Sequence, residues 1–476
     1  MENRMKNSRV PVVVELEVES IGFEGVSVAR LDGVVHFVNG ALPGETVRAQ
    51  VRGMKKKFVE TKLLEVLIPS PQRIQAPCPH FGVCGGCSWQ HLRYEDQLFW
   101  KRKHVMDAFE RIGHVAVGSY HDTIGVEDPF HYRNKMEFSF GASLWLTDAQ
   151  IATGEKFDMS FALGLHVPGR FDKVLTISNC MLQKEVGNIV LSHTVELSRE
   201  HGIRAYDQRA HKGFARHLVV RTSATTGSVM TTLVTATPKR DEEVTFIEAW
   251  MRLFDALPPG STMIHATHDG RSQVATGAIQ QQHGQGYLEE TSHGITYRIS
   301  PFSFFQTNTN QLPRLVGEAM KAAGITQDDV VWDLYCGTGT LTLPAAKLAK
   351  YVVGAELAQS SINDAKANAE RNAISNIELH AIDLHVPAAI DLLATFPRPN
   401  VILVDPPRAG MHPMLVEHLR SVHAPRLVYV SCNPATQARD CAMLSDLYEV
   451  EFVTPVDMFP QTYHVESVAL LTARSQ

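Results

Sequence analysis

Residues 11 to 68 alternate apolar and polar positions with the two-residue period of a strand. The runs Val12 to Val18, Gly25 to Ala29, Val34 to Val38, Thr46 to Val51 and Phe58 to Leu64 are separated by Gly or Pro-Gly turns. Five short strands so spaced predict a small closed barrel of the oligonucleotide-binding type. Ile68-Pro69-Ser70-Pro71 reads as a linker, and residues 92 to 112 predict a helix ending near Gly113. From 130 to 300, strand and helix patterns mix without a clean period, which predicts an α+β region. The last third is regular. Apolar runs at 330–334, 351–356, 377–379, 401–404 and 427–430 alternate with helical patterns at 341–349 and 359–372, as in a doubly wound sheet. The expected organisation is a β-barrel (10–69), an α+β central domain (70–300) and a Rossmann-like α/β domain (301–476).

With 476 residues, 44% of them hydrophobic and 20% charged, the chain has ample core for two or three domains. The polar start, Met1 to Arg9, is followed by no apolar stretch long enough for a signal peptide or membrane helix. A cytoplasmic monomer with no membrane partner is therefore expected. The net charge of −6 excludes a uniformly basic coat, but charge is unevenly spread. Arg48, Arg52, Lys55, Lys56, Lys57 and Lys62 lie in one stretch with Glu60 their sole counter-charge; Arg204, Arg209, Lys212, Arg216 and Arg221 form a second, with Asp207. Such a run is either a solvated face or a phosphate-binding surface.

Seven cysteines, an odd number without a secretion signal, point to reduced thiols rather than a disulfide framework. Cys78, Cys84 and Cys87 fall within ten residues, with Gly85 and Gly86 between the last two, and Cys180 lies alone downstream. This is a metal-binding pattern. Structural zinc sites pair their ligands as two close doublets; one triplet with a distant fourth ligand fits an iron–sulfur cluster better.

Asp333-Leu334-Tyr335-Cys336-Gly337-Thr338-Gly339 has the acidic-x-x-x-Gly-x-Gly spacing of an S-adenosylmethionine loop, its glycines admitting a ligand close to the backbone. A dinucleotide-binding loop calls for a third glycine where Thr342 stands. Glu356 ends the next strand, where an acid commonly holds ribose hydroxyls. Asp405-Pro406-Pro407-Arg408 ends another strand, and Ser431-Cys432-Asn433-Pro434 a further one. A methyl donor and a thiol then share one rim. A thiol is unnecessary for methylating nitrogen or oxygen, but it can activate a carbon that is not nucleophilic by itself, such as pyrimidine C5.

These motifs, with Ser303-Phe304-Phe305-Gln306-Thr307-Asn308 and the terminal run Met458 to Ser467, resemble the RNA uridine C5-methyltransferases. Ala41-Leu42-Pro43-Gly44-Glu45 resembles the turn of the TRAM domain, an RNA-binding barrel. With the four cysteines, the chain is most similar to the branch that carries a TRAM barrel and an iron–sulfur cluster and modifies 23S ribosomal RNA; a tRNA-directed relative of the same family, or a non-catalytic iron–sulfur RNA-binding protein, is the alternative. The resemblance implies Cys432 as the nucleophile toward uracil C6 and Glu466 as the base that removes the C5 proton. It implies that Gln306 lies between cofactor and base, that Tyr335, Thr340, Glu356 and Asp383 line S-adenosylmethionine, and that Asp405, beside them, accepts from uracil N3–H. It assigns Cys78, Cys84, Cys87 and Cys180 to a 4Fe-4S cluster.

Overall fold

The computed structural model describes residues 12–475, so Met1 to Arg9 and the first two residues of the expected barrel lie outside them. Strands β1 (Val13–Ile21), β2 (Ser27–Leu31), β3 (Val34–Asn39), β4 (Thr46–Met54) and β5 (Phe58–Ile68) close a barrel in the order β1-β2-β3-β5-β4. Alternate residues such as Leu16, Val18, Val47 and Ala49 fill its interior. Buried Glu45 closes the Pro-Gly turn by accepting from Leu42 N at 2.8 Å and pairing with Arg73 beyond the barrel. Of the first basic stretch, Arg48 is paired with Glu15 and Glu65. Lys55, Lys56 and Lys57 stand exposed at the β4–β5 turn, with no ion pair among the described residues.

Helix α1 (Tyr94–Ala108) and β6 (Val117–Tyr120) precede a seven-stranded sheet built from β7 (Lys135–Gly141), β8 (Ala162–Val167), β9 (Arg170–Thr176), β10 (Ala215–Thr222), β11 (Val229–Thr235), β12 (Thr262–Thr267) and β13 (Ala278–His283). Its order is β13-β12-β11-β10-β7-β8-β9. Short helix α2 (Asp148–Thr153) lies between β7 and β8, while α3 (Glu185–Glu200) and α4 (Asp241–Met251) follow β9 and β11. The apolar faces of α3 and α4 pack with this sheet into one core around Phe138, Leu218, Phe246 and Trp250. The second basic stretch sits here and is largely structural. Arg216 is buried and donates to the carbonyls of His268, Gly270 and Ser272; Arg221 donates to Ser303 O; Arg209 pairs with Asp172.

After the hairpin β14 (Leu288–Ser292) and β15 (Ile295–Ile299), the chain enters the α/β layer. Its elements are α5 (Leu312–Ala323), β16 (Val330–Leu334), α6 (Thr342–Ala346), β17 (Tyr351–Glu356), α7 (Gln359–Arg371), β18 (Ile377–Ala381), α8 (Pro387–Leu393), β19 (Val401–Val404), α9 (Pro413–Val422), β20 (Arg426–Ser431), α10 (Pro434–Leu444), β21 (Tyr448–Val456) and β22 (Glu466–Ala473). The eight-stranded sheet runs β18-β17-β16-β19-β20-β22-β21-β6. Its strands are buried on both faces, so successive residues feed different cores. Trp332, Ile402, Leu427 and Tyr429 join one, with α9 and α10, while Val331, Leu403, Val428 and Val430 join the other, with α5 and α6. Strand order reverses between β16 and β19, which opens a crevice at their carboxyl ends.

Strand β6, from the stretch expected to be wholly central, adds to this last sheet parallel to β21, and α1 packs on α10. The eight-stranded layer is thus not one contiguous segment beginning at 301. Residues 94–120 are drawn across because Val105, Ala108 and Phe109 complete an apolar face that α10 leaves open, a match no local period announces.

Candidate active site

The crevice holds a cavity of about 590 Å³ whose walls include Gln306, Tyr335, Thr340, Glu356, Asp383, Asp405, Cys432 and Glu466. All eight non-cysteine-cluster residues singled out in the sequence therefore meet in one place. Tyr335 has φ 68° and Gly337 and Gly339 have φ 54° and 89°, so the loop after β16 turns sharply and leaves open space before Gly337. Glu356 stabilises that turn by accepting from Gly337 N at 3.2 Å and Ala358 N at 2.9 Å. Gln306 is held from the central sheet, since Asn134 Nδ2 donates to its carbonyl at 2.8 Å.

Asp333 has no exposed surface. One carboxylate oxygen accepts from Thr342 Oγ1 at 2.5 Å, and the other has no partner. Burial, with Glu356 nearby, raises this carboxyl to about 7. A buried acceptor left unpaired beside an open loop is the complement of a cationic ligand group such as an α-ammonium.

Cys432 follows β20 and precedes α10, whose N-cap Asn433 accepts from Ala435 N at 3.1 Å. Asn433 Nδ2 donates to Arg408 O at 2.9 Å, tying the thiol's loop to the Asp405–Arg408 loop. β20 and β22 are antiparallel, and their last pair is Ser431 with Ser467. Cys432 and Glu466 are the neighbours of that last pair, and both line the same cavity. Glu466 is 4% exposed. Burial and the adjoining Asp405 carboxylate push its pKa well up, and the Arg408 guanidinium opposes the shift. Burial, then Glu466 and Asp405, raise the Cys432 thiol to about 12, again opposed by Arg408. Asp405 is itself raised to about 7, by burial and then by Asp333. Arg408 is thus the cation facing the reactive group, a role that its place in the Asp-Pro-Pro-Arg run did not assign.

Cys78, Cys84, Cys87 and Cys180 line a second cavity of about 320 Å³. Cys84 Sγ accepts from Gly86 N at 3.3 Å and Cys87 Sγ from Gln90 Nε2 at 3.1 Å. Burial raises Cys84 to about 11 and Cys87 to about 12. Among the described residues, no group of three or more His, Cys, Asp or Glu side chains is arranged to hold a single metal ion. The four thiols nevertheless share one cavity and two receive N–H···S hydrogen bonds, a donor set that suits a soft-metal cluster larger than one ion. Phe459 lines both this cavity and that of Cys432. No described helix is long and apolar enough to cross a membrane.

Residues 8–64 match the TRAM domain family and residues 243–474 the tRNA (Uracil-5-)-methyltransferase family. An RNA methyltransferase of Bacteroides thetaiotaomicron is 36% identical over 95% of this chain and 99% of its own length. One from Chlorobaculum tepidum is 38% identical over 92% of this chain and 91% of its own. Among solved structures, the Pyrococcus abyssi tRNA (uracil-54, C5)-methyltransferase in complex with S-adenosyl-L-homocysteine superposes with a TM-score of 0.73 at 26% identity, covering 97% of this chain and 100% of that one. The chain belongs to the TRAM-containing RNA methyltransferases, and its catalytic layer to the uracil-C5 methyltransferase family.

Proposed function

We propose that this enzyme methylates C5 of a uridine in 23S ribosomal RNA through a transient bond between Cys432 and C6 of the base. The observation that supports the reading is that Cys432 and Glu466, each adjoining the last β20–β22 pair, line one cavity with the cofactor loop. Cys432 Sγ, as thiolate, adds to C6, and the C5=C6 π electrons pass into an enolate at O4. Arg408, whose charge favours the ionised thiol, and the α10 N-terminus assist that addition. S-adenosylmethionine, when bound, would supply the methyl group that the enolate carbon C5 takes, its S–CH3 bond breaking to leave S-adenosylhomocysteine. Glu466 then accepts the C5 proton, the C5=C6 bond re-forms and the S–C6 bond breaks. The Arg408 guanidinium opposes the rise that burial and Asp405 impose on Glu466 and so favours the carboxylate form that can take the proton.

Asp405 accepts a hydrogen bond from uracil N3–H. Cytosine has no such donor and leaves that carboxylate unpaired, which discriminates against it. Asp333 takes the cofactor's ammonium and Glu356 its ribose hydroxyls, while Gln306, Tyr335, Thr340 and Asp383 line the remainder. Phe304, 64% exposed at the rim, stacks on a base turned out of its helix. Cys78, Cys84, Cys87 and Cys180 hold a 4Fe-4S cluster with one thiolate per iron, and Lys55, Lys56 and Lys57 contact RNA phosphates.

A tRNA target is the second reading, favoured by the Pyrococcus abyssi enzyme, whose substrate is tRNA and which spans nearly this whole chain. Mapping 5-methyluridine in ribosomal and transfer RNA from a strain lacking the protein decides between them. Loss of a 23S site supports the first reading, and loss of a tRNA site the second. Loss of neither overturns both.

A further inference from the structure

Between β21 and β22 the chain passes through residues 457–465 without regular structure and arrives at Glu466. The carboxyl of Glu466 makes no hydrogen bond of its own among the described residues, so its aim depends on its backbone, which pairs with Val456 at the start of β22 and is led in by residues 457–465. That backbone is held from the far side, chiefly by α1. Buried Asp457 receives Lys101 Nζ at 2.5 Å and Tyr94 OH at 3.0 Å, and Lys101 Nζ also reaches Phe459 O at 3.0 Å. Gln97 Nε2 donates to Gln461 Oε1 at 3.1 Å, and Gln97 Oε1 accepts from Gln461 N at 2.9 Å. Gln461 O accepts from both Ser88 N and Trp89 N at 3.0 Å, directly after Cys87.

Gln461 has φ 68°, a left-handed conformation that a non-glycine residue keeps only where its surroundings over-determine it. Four hydrogen bonds on one buried residue do so here. Cys432 is held by β20, the α10 cap and the Arg408 carbonyl, none of which is hydrogen-bonded to residues 457–464 among the described residues.

We infer that residues 457–464 form a clamp that sets Glu466 against its proton, which makes Gln97 and Tyr94 on α1 positioning residues for the elimination step. This rests on the reading of Glu466 as the base. Loosening the clamp leaves the thiol and the cofactor loop in place, so addition and methyl transfer continue while proton removal slows. Proton transfer requires a heavy-atom approach of about 3 Å, and a displacement of about 1 Å can cost about a hundredfold.

The test is single-turnover reaction of the full chain with labelled S-adenosylmethionine and ribosomal and transfer RNA from a strain lacking the protein. Methyl incorporation is scored separately from covalently bound RNA on denaturing gels. Gln97→Ala is expected to slow release of methylated RNA about ten- to a hundredfold with incorporation within about threefold of wild type. Tyr94→Phe, which removes only the hydroxyl, changes release in the same direction by less and carries the test if Gln97→Ala does not fold. Because both act through Glu466, the double variant Gln97→Ala/Glu466→Gln releases RNA no more slowly than Glu466→Gln alone. Wild-type release from both α1 variants, equal slowing of both steps, or a double variant slowed by the full product of the two single effects overturns the clamp. If Glu466→Gln alone fails to accumulate bound RNA, the reading of the base falls, and the clamp with it.

Discussion

Asp333→Asn separates the cost of the empty cofactor loop from its use. The folded protein holds the Asp333 proton to about pH 7, whereas an unperturbed carboxyl loses it near 3.8. Above the lower value the native state must bury a charge or keep a proton that the unfolded chain has released. This group's contribution therefore destabilises the ligand-free protein progressively as pH rises from about 4 to about 7, and is constant above that. Three units at about 1.4 kcal/mol each set a ceiling of about 4 kcal/mol. Asparagine can keep the Thr342 hydrogen bond but buries an amide N–H₂ without a partner, which returns about 1–3 kcal/mol. The expected net gain at pH 8 is about 1–3 kcal/mol, shrinking to nothing or reversing near pH 4. On the proposed role of Asp333, the same substitution removes the acceptor for the cofactor's ammonium, a charge-assisted hydrogen bond worth about 10- to 100-fold in affinity. Thermal unfolding of both proteins across pH 4–8 without cofactor, and calorimetric titration with S-adenosylmethionine, measure the two effects. A variant that is less stable at pH 8, or that binds the cofactor as tightly as wild type, refutes the reasoning.

Other consequences are equally open to measurement. Arg408→Gln removes the cation that opposes the rise of the Cys432 thiol, so adduct formation should slow at pH 7.5 (about tenfold for one pKa unit) and recover as pH rises; an unshifted pH profile contradicts this. Changing Lys55, Lys56 and Lys57 to Ala should flatten the salt dependence of RNA binding by roughly two to three units of slope without altering cofactor affinity; an unchanged slope marks the turn as a solvated face. Protein purified without oxygen should contain about four irons per chain, and Cys180→Ser should lose iron; stoichiometric zinc, or unchanged iron, contradicts the assignment.

What the sequence made legible was what repeats locally or forms a compact motif. The barrel strands and the α/β alternation were readable because each strand buries one or both faces in a fixed period. Tyr335, Thr340, Glu356, Asp405 and Cys432 were readable because they lie in short motifs at or just beyond the carboxyl ends of strands, where an open sheet gathers them, while Gln306, Asp383 and Glu466 were reached through the family resemblance. The transfer of α1 and β6 to the last sheet was not readable, since it depends on Val105 and Phe109 fitting a gap left by α10, hundreds of residues away. The basic run at 204–221 looked like one charged surface, yet Arg216 and Arg221 are buried and bonded to carbonyls. Charge in a sequence does not say which side of a strand it occupies. The contacts of Gln97 and Tyr94 with residues 457–461 were likewise invisible, because side-chain amides and hydroxyls on a helix without a clear apolar stripe announce no partner.

In the proposed reaction Cys432 bonds to the uridine and Glu466 releases it. The direct measurement is mass spectrometry of protein recovered after Glu466→Gln reacts with RNA and labelled S-adenosylmethionine. The expected result is a peptide containing Cys432 that carries a methylated uridine, and no such species from Cys432→Ala, which should also transfer no methyl group. Methyl transfer by Cys432→Ala, or a nucleotide attached to any other residue, would contradict it.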